Sequence, residues 1–159
     1  MHQVDMNRLS RGELLFGGAG LLLFIVSFIK LWATYKAKAF SAFTFHISAW
    51  DYGFLLKVGI IVALLGAIAV ILKAAGIKFD LPAVAYMIAG IFVGADMLLY
   101  VLVGPPSSEG LADDSRGIML FVGLVLGLIM AYAGWLINKE QPASASPAAP
   151  ASPAAPPAT

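Results

Sequence analysis

The chain contains no cysteine, which removes disulfides, thiolate metal sites and cysteine nucleophiles from the chemistry open to it. Charge is nearly as scarce. Only 12% of the 159 residues are Asp, Glu, Lys or Arg, where a soluble domain carries about a quarter. A water-facing surface cannot be built from so few. The formal net charge is +1, and no basic stripe of the kind nucleic acid requires is present. His2 and His46 are far apart in the sequence, so neither has a second histidine at metal-ligand spacing. The glycines at Gly17, Gly18 and Gly20 lie inside an apolar run, without the preceding strand or the Gly-Lys-Ser/Thr ending of a phosphate loop. No nucleophile, metal cluster or nucleotide loop is therefore legible, and no cofactor is expected.

What fills the chain is hydrocarbon. Sixty percent of residues are hydrophobic and the mean hydropathy is +0.89. Four apolar runs, residues 14–34, 52–72, 81–103 and 118–138, are each long enough at about 1.5 Å per residue to cross a hydrocarbon core of roughly 30 Å. The expected fold is all-α: a polytopic four-transmembrane-helix bundle. An N-terminal segment (residues 1–12), the transmembrane domain (residues 13–138) and a tail (residues 139–159) make up the chain. The tail holds six of the nine prolines and repeats Ser-Pro-Ala-Ala-Pro at 146–150 and 152–156. Without an aromatic or charged residue from Gln141 onward, it is expected to be disordered with polyproline II character.

The ends of the runs carry punctuation. Ser10-Arg-Gly-Glu13 reads as a capping box ahead of the first run, and Ser48-Ala-Trp-Asp51 repeats it ahead of the second. Asp80 before Leu81-Pro82 suits the start of the third helix, and Asp113, Asp114 and Ser115 can cap the fourth. Gly76 offers a stop after the second helix, and Gly104-Pro105-Pro106 ends the third. Arg8 and Arg11 with Ala37-Lys38-Ala39 have some features of a signal peptide. The uncharged stretch from Leu14 to Ile29 is nevertheless too long and too far from that site, so an uncleaved span is expected. With both termini cytoplasmic, Arg8, Arg11, Lys73, Lys78 and Lys139 lie inside against Lys30, Lys36, Lys38 and Arg116 outside, which favours that orientation in a plasma membrane.

The connection from Ala33 to Ile47 is too apolar for a plain hydrated loop. Phe40, Phe43, Ile47 and Trp50 follow helical spacing, whereas Phe43, Phe45 and Ile47 alternate with Thr44, His46 and Ser48 as a strand would, and periodicity leaves both open. Its aromatics, with Trp32, Tyr35, Tyr52 and Tyr100, are expected as an interfacial belt at one membrane face, and His46 as an interfacial side chain.

Small residues form stripes at four-residue spacing: Gly59, Ala63 and Ala67; Gly90 and Gly94; Gly123, Gly127 and Ala131. In lipid, such stripes let helix backbones approach closely, either within one bundle or against a second copy or another membrane protein. Two charges lie well inside the runs, Lys57 and Asp96, both about 8 to 11 Å from the same face. An isolated charge at the centre of a span costs about 2.5 to 3.5 kcal/mol on insertion scales, which calls for a partner or a water path: the two are expected to pair across adjacent helices, with independent snorkelling or an ion or proton site as the alternatives.

Arg11-Gly-Glu13 opening an apolar run, the aromatic loop ending in Ser48-Ala-Trp-Asp51, and Arg116-Gly117 leading to a last helix that closes with Ala133-Gly-Trp-Leu136 resemble small four-helix bacterial integral membrane proteins of unassigned function. The resemblance covers about residues 10 to 137 and implies no activity or site. Two functional expectations follow: a non-enzymatic structural or accessory subunit partnered by the bilayer, or a small transporter or channel subunit using Lys57 and Asp96.

Overall fold

A computed structural model describes residues 9–37, 43–77, 81–104 and 112–140. Helices α1 (Arg11–Val26), α2 (Phe54–Ala74), α3 (Ala83–Val103) and α4 (Ile118–Glu140) pack side by side, and strands β1 (Ala33–Ala37), β2 (Thr44–Ile47) and β3 (Ala112–Arg116) gather at one end. Three of the helices, α2, α3 and α4, are long and apolar enough to cross a membrane. The first is not. It has 16 residues, about 24 Å of helix, because the run expected over residues 14–34 breaks at Ser27. The fully buried Ser27 hydroxyl donates to the Phe24 carbonyl at 2.6 Å, and the chain turns away into β1. The tail from Gln141 onward and Asp80 lie outside the described residues.

Other boundaries shift for local reasons. At α1 the capping box forms as expected: the Glu13 N–H donates to Ser10 Oγ at 3.2 Å and the Ser10 N–H to Glu13 Oε2 at 2.9 Å. The Ser48–Asp51 box instead starts a single 3-10 turn over Ala49–Asp51, and α2 begins two residues after Tyr52. Asp113, Asp114 and Ser115 belong to β3 rather than to a cap on α4. Gly76 ends α2 with φ 78°. Its N–H donates to the Lys73 carbonyl and the Ile77 N–H to Leu72, the paired bonds that a left-handed glycine permits at a helix end. Gly104, with φ 85°, ends α3.

The described parts of the 33–47 segment form strands, β1 and β2. The sheet order is β2-β1-β3, both pairs antiparallel. Register sets Thr34 opposite His46 and Ser115, and Tyr35 opposite Phe45. Thr34 Oγ1 lies 3.1 Å from His46 Nδ1, so His46 serves a cross-strand contact. β-branched and aromatic residues in these strands suit a half-covered pleated surface better than a helix face.

Packing follows the small residues. α1 lies against α2 and α4, and α3 against the same two. At the α3/α4 seam, Gly90 sits on the Met130 carbonyl and Ala131, and Gly94 on Gly127 and Ala131. Gly123 takes the Trp32 ring edge and Met97. At the α1/α2 seam, Gly20 approaches the Ala63 backbone and the Ala67 methyl, and Gly66 receives the Phe16 ring. Apolar side chains also cover the outward faces, among them Leu65, Ile88, Leu102, Val125 and Leu128. Helices that are hydrophobic all round need a surrounding that is not water. Close backbone approach then supplies the dispersion contact that hydrophobic exclusion cannot supply in lipid.

Gly90 and Gly18 make a direct test. A Cβ at Gly90 would strike the Met130 carbonyl oxygen and stand 3.0 Å from Ala131 Cα, whereas at Gly18 nothing lies within 4 Å. Gly90→Ala is expected to destabilise the protein by about 1 to 3 kcal/mol. Gly18→Ala is expected to be neutral or to stabilise by up to about 1 kcal/mol through helix propensity. Thermal unfolding in detergent reads both.

Candidate functional site

Every helix end at the sheet leaves backbone groups without intrahelical partners, and near hydrocarbon each costs several kcal/mol if unmet. The connecting segments meet them. Trp32 is fully buried, and its Nε1–H donates to the Val26 carbonyl of α1 at 3.0 Å. The Trp32 N–H donates to Ile47, and its carbonyl accepts from the Gly117 N–H at 2.8 Å and from the Tyr52 hydroxyl at 3.1 Å. One residue thus joins α1, β2, the start of α2 and the start of α4. Around it, the Trp50 Nε1–H donates to Ser27 Oγ at 3.0 Å and the Ala49 N–H to the Ser27 carbonyl. The Met119 N–H in the first turn of α4 donates to Leu31. Tyr100 accepts from the Leu56 N–H in the first turn of α2 at 3.4 Å. The Arg116 guanidinium donates to the Leu102 carbonyl at 3.1 Å, a cation at the negative end of α3.

The aromatic belt expected at this face therefore separates into two groups. Trp32 and Tyr52 are buried and act as structural ties. Trp50 instead clusters ring on ring with Phe24 and Phe28, which the expected belt did not include, with centroids 5.1 to 6.4 Å apart. At the opposite end, exposed Tyr132 and Trp135 stack at 5.8 Å and Lys139 lies over the Trp135 ring. Sequence reading missed this second aromatic group, although Trp135 and Tyr132 stand close to the end of the last run.

Among the described residues, the charge pair the structure makes is not the one expected. Glu13, 1% exposed, joins Lys73 Nζ at 2.5 Å, tying the first turn of α1 to the last turn of α2. An acid at a helix N-terminus and a base at a C-terminus each complement the local dipole. The signal lay in the sequence: antiparallel neighbours bring the start of one run level with the end of the next.

Lys57 and Asp96 are not brought together. Asp96 lies on the α2 side of α3, where Oδ2 occupies the space that a Cβ on Gly59 would take. Lys57 is two residues from Gly59, about 200° around the helix, so it cannot face the same neighbour. Its charge acts instead on Asp51, as does that of Lys30. The Asp51 carboxyl is held below its ordinary 3.8, first by the Ser48 N–H and then by the Ser48 hydroxyl, which donate to Oδ2 at 2.9 and 2.8 Å. Asp96 is 3% exposed, and neither carboxyl oxygen has a hydrogen-bond partner.

The α2/α3 seam also contains an apolar cleft of about 400 Å³, bordered by Phe16, Leu65, Ala69, Leu81, Tyr86 and Ala89. Tyr86 meets Phe16 edge to face at 5.2 Å. The cleft occupies the end away from the sheet and stops at Ala89, about two helical turns short of Asp96.

With α2, α3 and α4 of membrane-crossing length and composition, the chain has the character of a helical membrane protein. No protein-family model, curated protein or solved structure matches it.

The Glu13–Lys73 pair has a measurable weight. Lys73→Met strands a buried carboxylate and is expected to cost about 2 kcal/mol, discounted from the 3 to 5 typical of a fully buried pair because Lys73 is partly exposed. Adding Glu13→Gln, which keeps the cap on Ser10, is expected to restore part of that loss. A double-mutant cycle by thermal unfolding in detergent gives the coupling; a value near zero would reduce the pair to a bystander.

Proposed function

We propose that this chain is a multi-pass integral membrane protein of the plasma membrane, serving as a non-enzymatic structural or accessory subunit. In this reading α1, although shorter than the other three at 16 residues, is the fourth span, both termini are cytoplasmic, and the sheet stands outside. The observation that carries the subunit role is the sheet itself, tied through Trp32 to α1 and to the residues just ahead of α2 and α4, Tyr52 and Gly117. It presents β2 at its edge with Phe45 59% exposed. An edge strand can accept an extended segment of a partner through main-chain hydrogen bonds, with side chains supplying selectivity. The partner of matching chemistry is another membrane protein with an extended stretch at the same interface.

A photocrosslinking residue at Phe45 in native membranes is expected to yield one discrete protein adduct, while the same residue at Ile88, on an outward helix face, yields lipid adducts. Lipid adducts alone at Phe45 would remove the docking role. Orientation is read separately. Thr44→Cys should react with an impermeant maleimide in intact cells, and Ile77→Cys only after lysis; the chain has no native cysteine to interfere.

A second reading, a small transporter or channel subunit, is favoured by one observation: the buried, unpartnered Asp96 carboxyl. Lys57 has no part in that version.

A further inference from the structure

Asp96 stands in a place made for it. Gly59, across the seam on α2, leaves open the volume that Oδ2 fills. On α3 the register separates two jobs: Gly90 and Gly94 face α4, and Asp96, about 200° from Gly94, faces α2. The carboxyl is 3% exposed and neither oxygen has a hydrogen-bond partner.

The ionisable groups around it offer no compensation. On its own helix, Tyr100 lies one turn toward the sheet and its hydroxyl is engaged with the Leu56 N–H. Tyr52 stacks edge to face on Tyr100 at 5.6 Å and donates to the Trp32 carbonyl. On α2, Lys57 is turned away from Gly59 by about 200°. The α4 residues that α3 packs against, Gly123, Gly127, Met130 and Ala131, do not titrate. On α1, Arg11 and Glu13 lie at the opposite end.

We propose that Asp96 is a proton-binding site, a carboxyl that the α2/α3 seam holds as the neutral acid. A lone carboxylate among apolar helices would bear the full cost of desolvation, whereas the neutral acid bears only that of a polar group. The ligand class follows from the donor set. Hard metal cations take six or more oxygen ligands, and the Asp96 oxygens have no polar partner among the described residues; a proton needs only the carboxyl. The same seam holds the apolar cleft, so α2 and α3 are incompletely interlocked, and their separation is the motion that would let the carboxyl exchange its proton with water. This deepens the transporter reading, yet the binding itself is read without any flux. A protein that binds the proton and conducts nothing would fail that reading alone.

Infrared spectroscopy of the protein in lipid tests it. Near neutral pH, where an exposed aspartate is almost wholly ionised, the parent is expected to show the carbonyl band of a protonated carboxyl, absent in Asp96→Asn. Should that variant fail to fold, ¹³C labelling of aspartate side-chain carboxyls assigns the band to aspartate by its shift. Raising the pH should convert the band to carboxylate absorption. Replacing choline with sodium at fixed pH should leave it unchanged. Absence of a protonated band in folded parent, or loss of the band on adding sodium, would overturn the proposal.

Discussion

The structure depends on the need to satisfy the backbone groups that four helix ends expose at one face. Trp32 is the centre of the answer, because its indole N–H, backbone N–H and carbonyl reach different elements. Once its ring is placed over Gly123, the first connection cannot continue as helix. It returns as β1, and β1 recruits β2 and β3 on its two edges. Gly117 allows this, since any side chain there would collide with the Leu31 carbonyl. The sheet is thus a consequence of capping as well as of strand propensity.

Charge placement obeys the same economy of polar groups in an apolar protein. Glu13 meets two donors at once, the Ser10 N–H and Lys73, at an end where the α1 dipole favours the acid and the α2 dipole favours the base. Asp51 takes two donors from Ser48 and lies where water reaches it. Asp96 receives none from the described residues. That contrast, rather than burial by itself, singles out the α2/α3 seam: two carboxyls are placed where the fold supplies their partners, and the third where the fold supplies only room.

Much of the helical layer was legible because its signals are local. Three of the apolar runs, the capping box at Ser10 and the glycine stop at Gly76 depend on neighbours within a few residues, and each appears in the structure. The sheet was half legible: alternation across Phe43, Phe45 and Ile47 stood beside an equally good helical spacing, and only pairing with β1 decides between them. The end of α1 at Ser27 was hidden, because the apolar run continues past it to Thr34, and what stops the helix is Trp32 and Trp50 returning from later in the chain. The Lys57–Asp96 expectation rested on equal depth. Depth is one coordinate of a helix and rotation is the other, and the contact with Gly59 settles the rotation.

By itself the sequence determined the class of protein: composition and run length leave little but apolar helices, and small residues at four-residue spacing require that some of them pack backbone to backbone. It also determined that an acid would lie deep in the third run, since Asp96 has apolar residues for two turns on either side. Only the tertiary structure decided which seam each stripe enters and that Glu13, not Asp96, receives a lysine. Only it decided that Trp32 and Tyr52 are internal ties rather than belt residues. Those outcomes depend on the relative rotation and lateral order of helices. That order is fixed by contacts between residues distant in the chain, which no local pattern encodes.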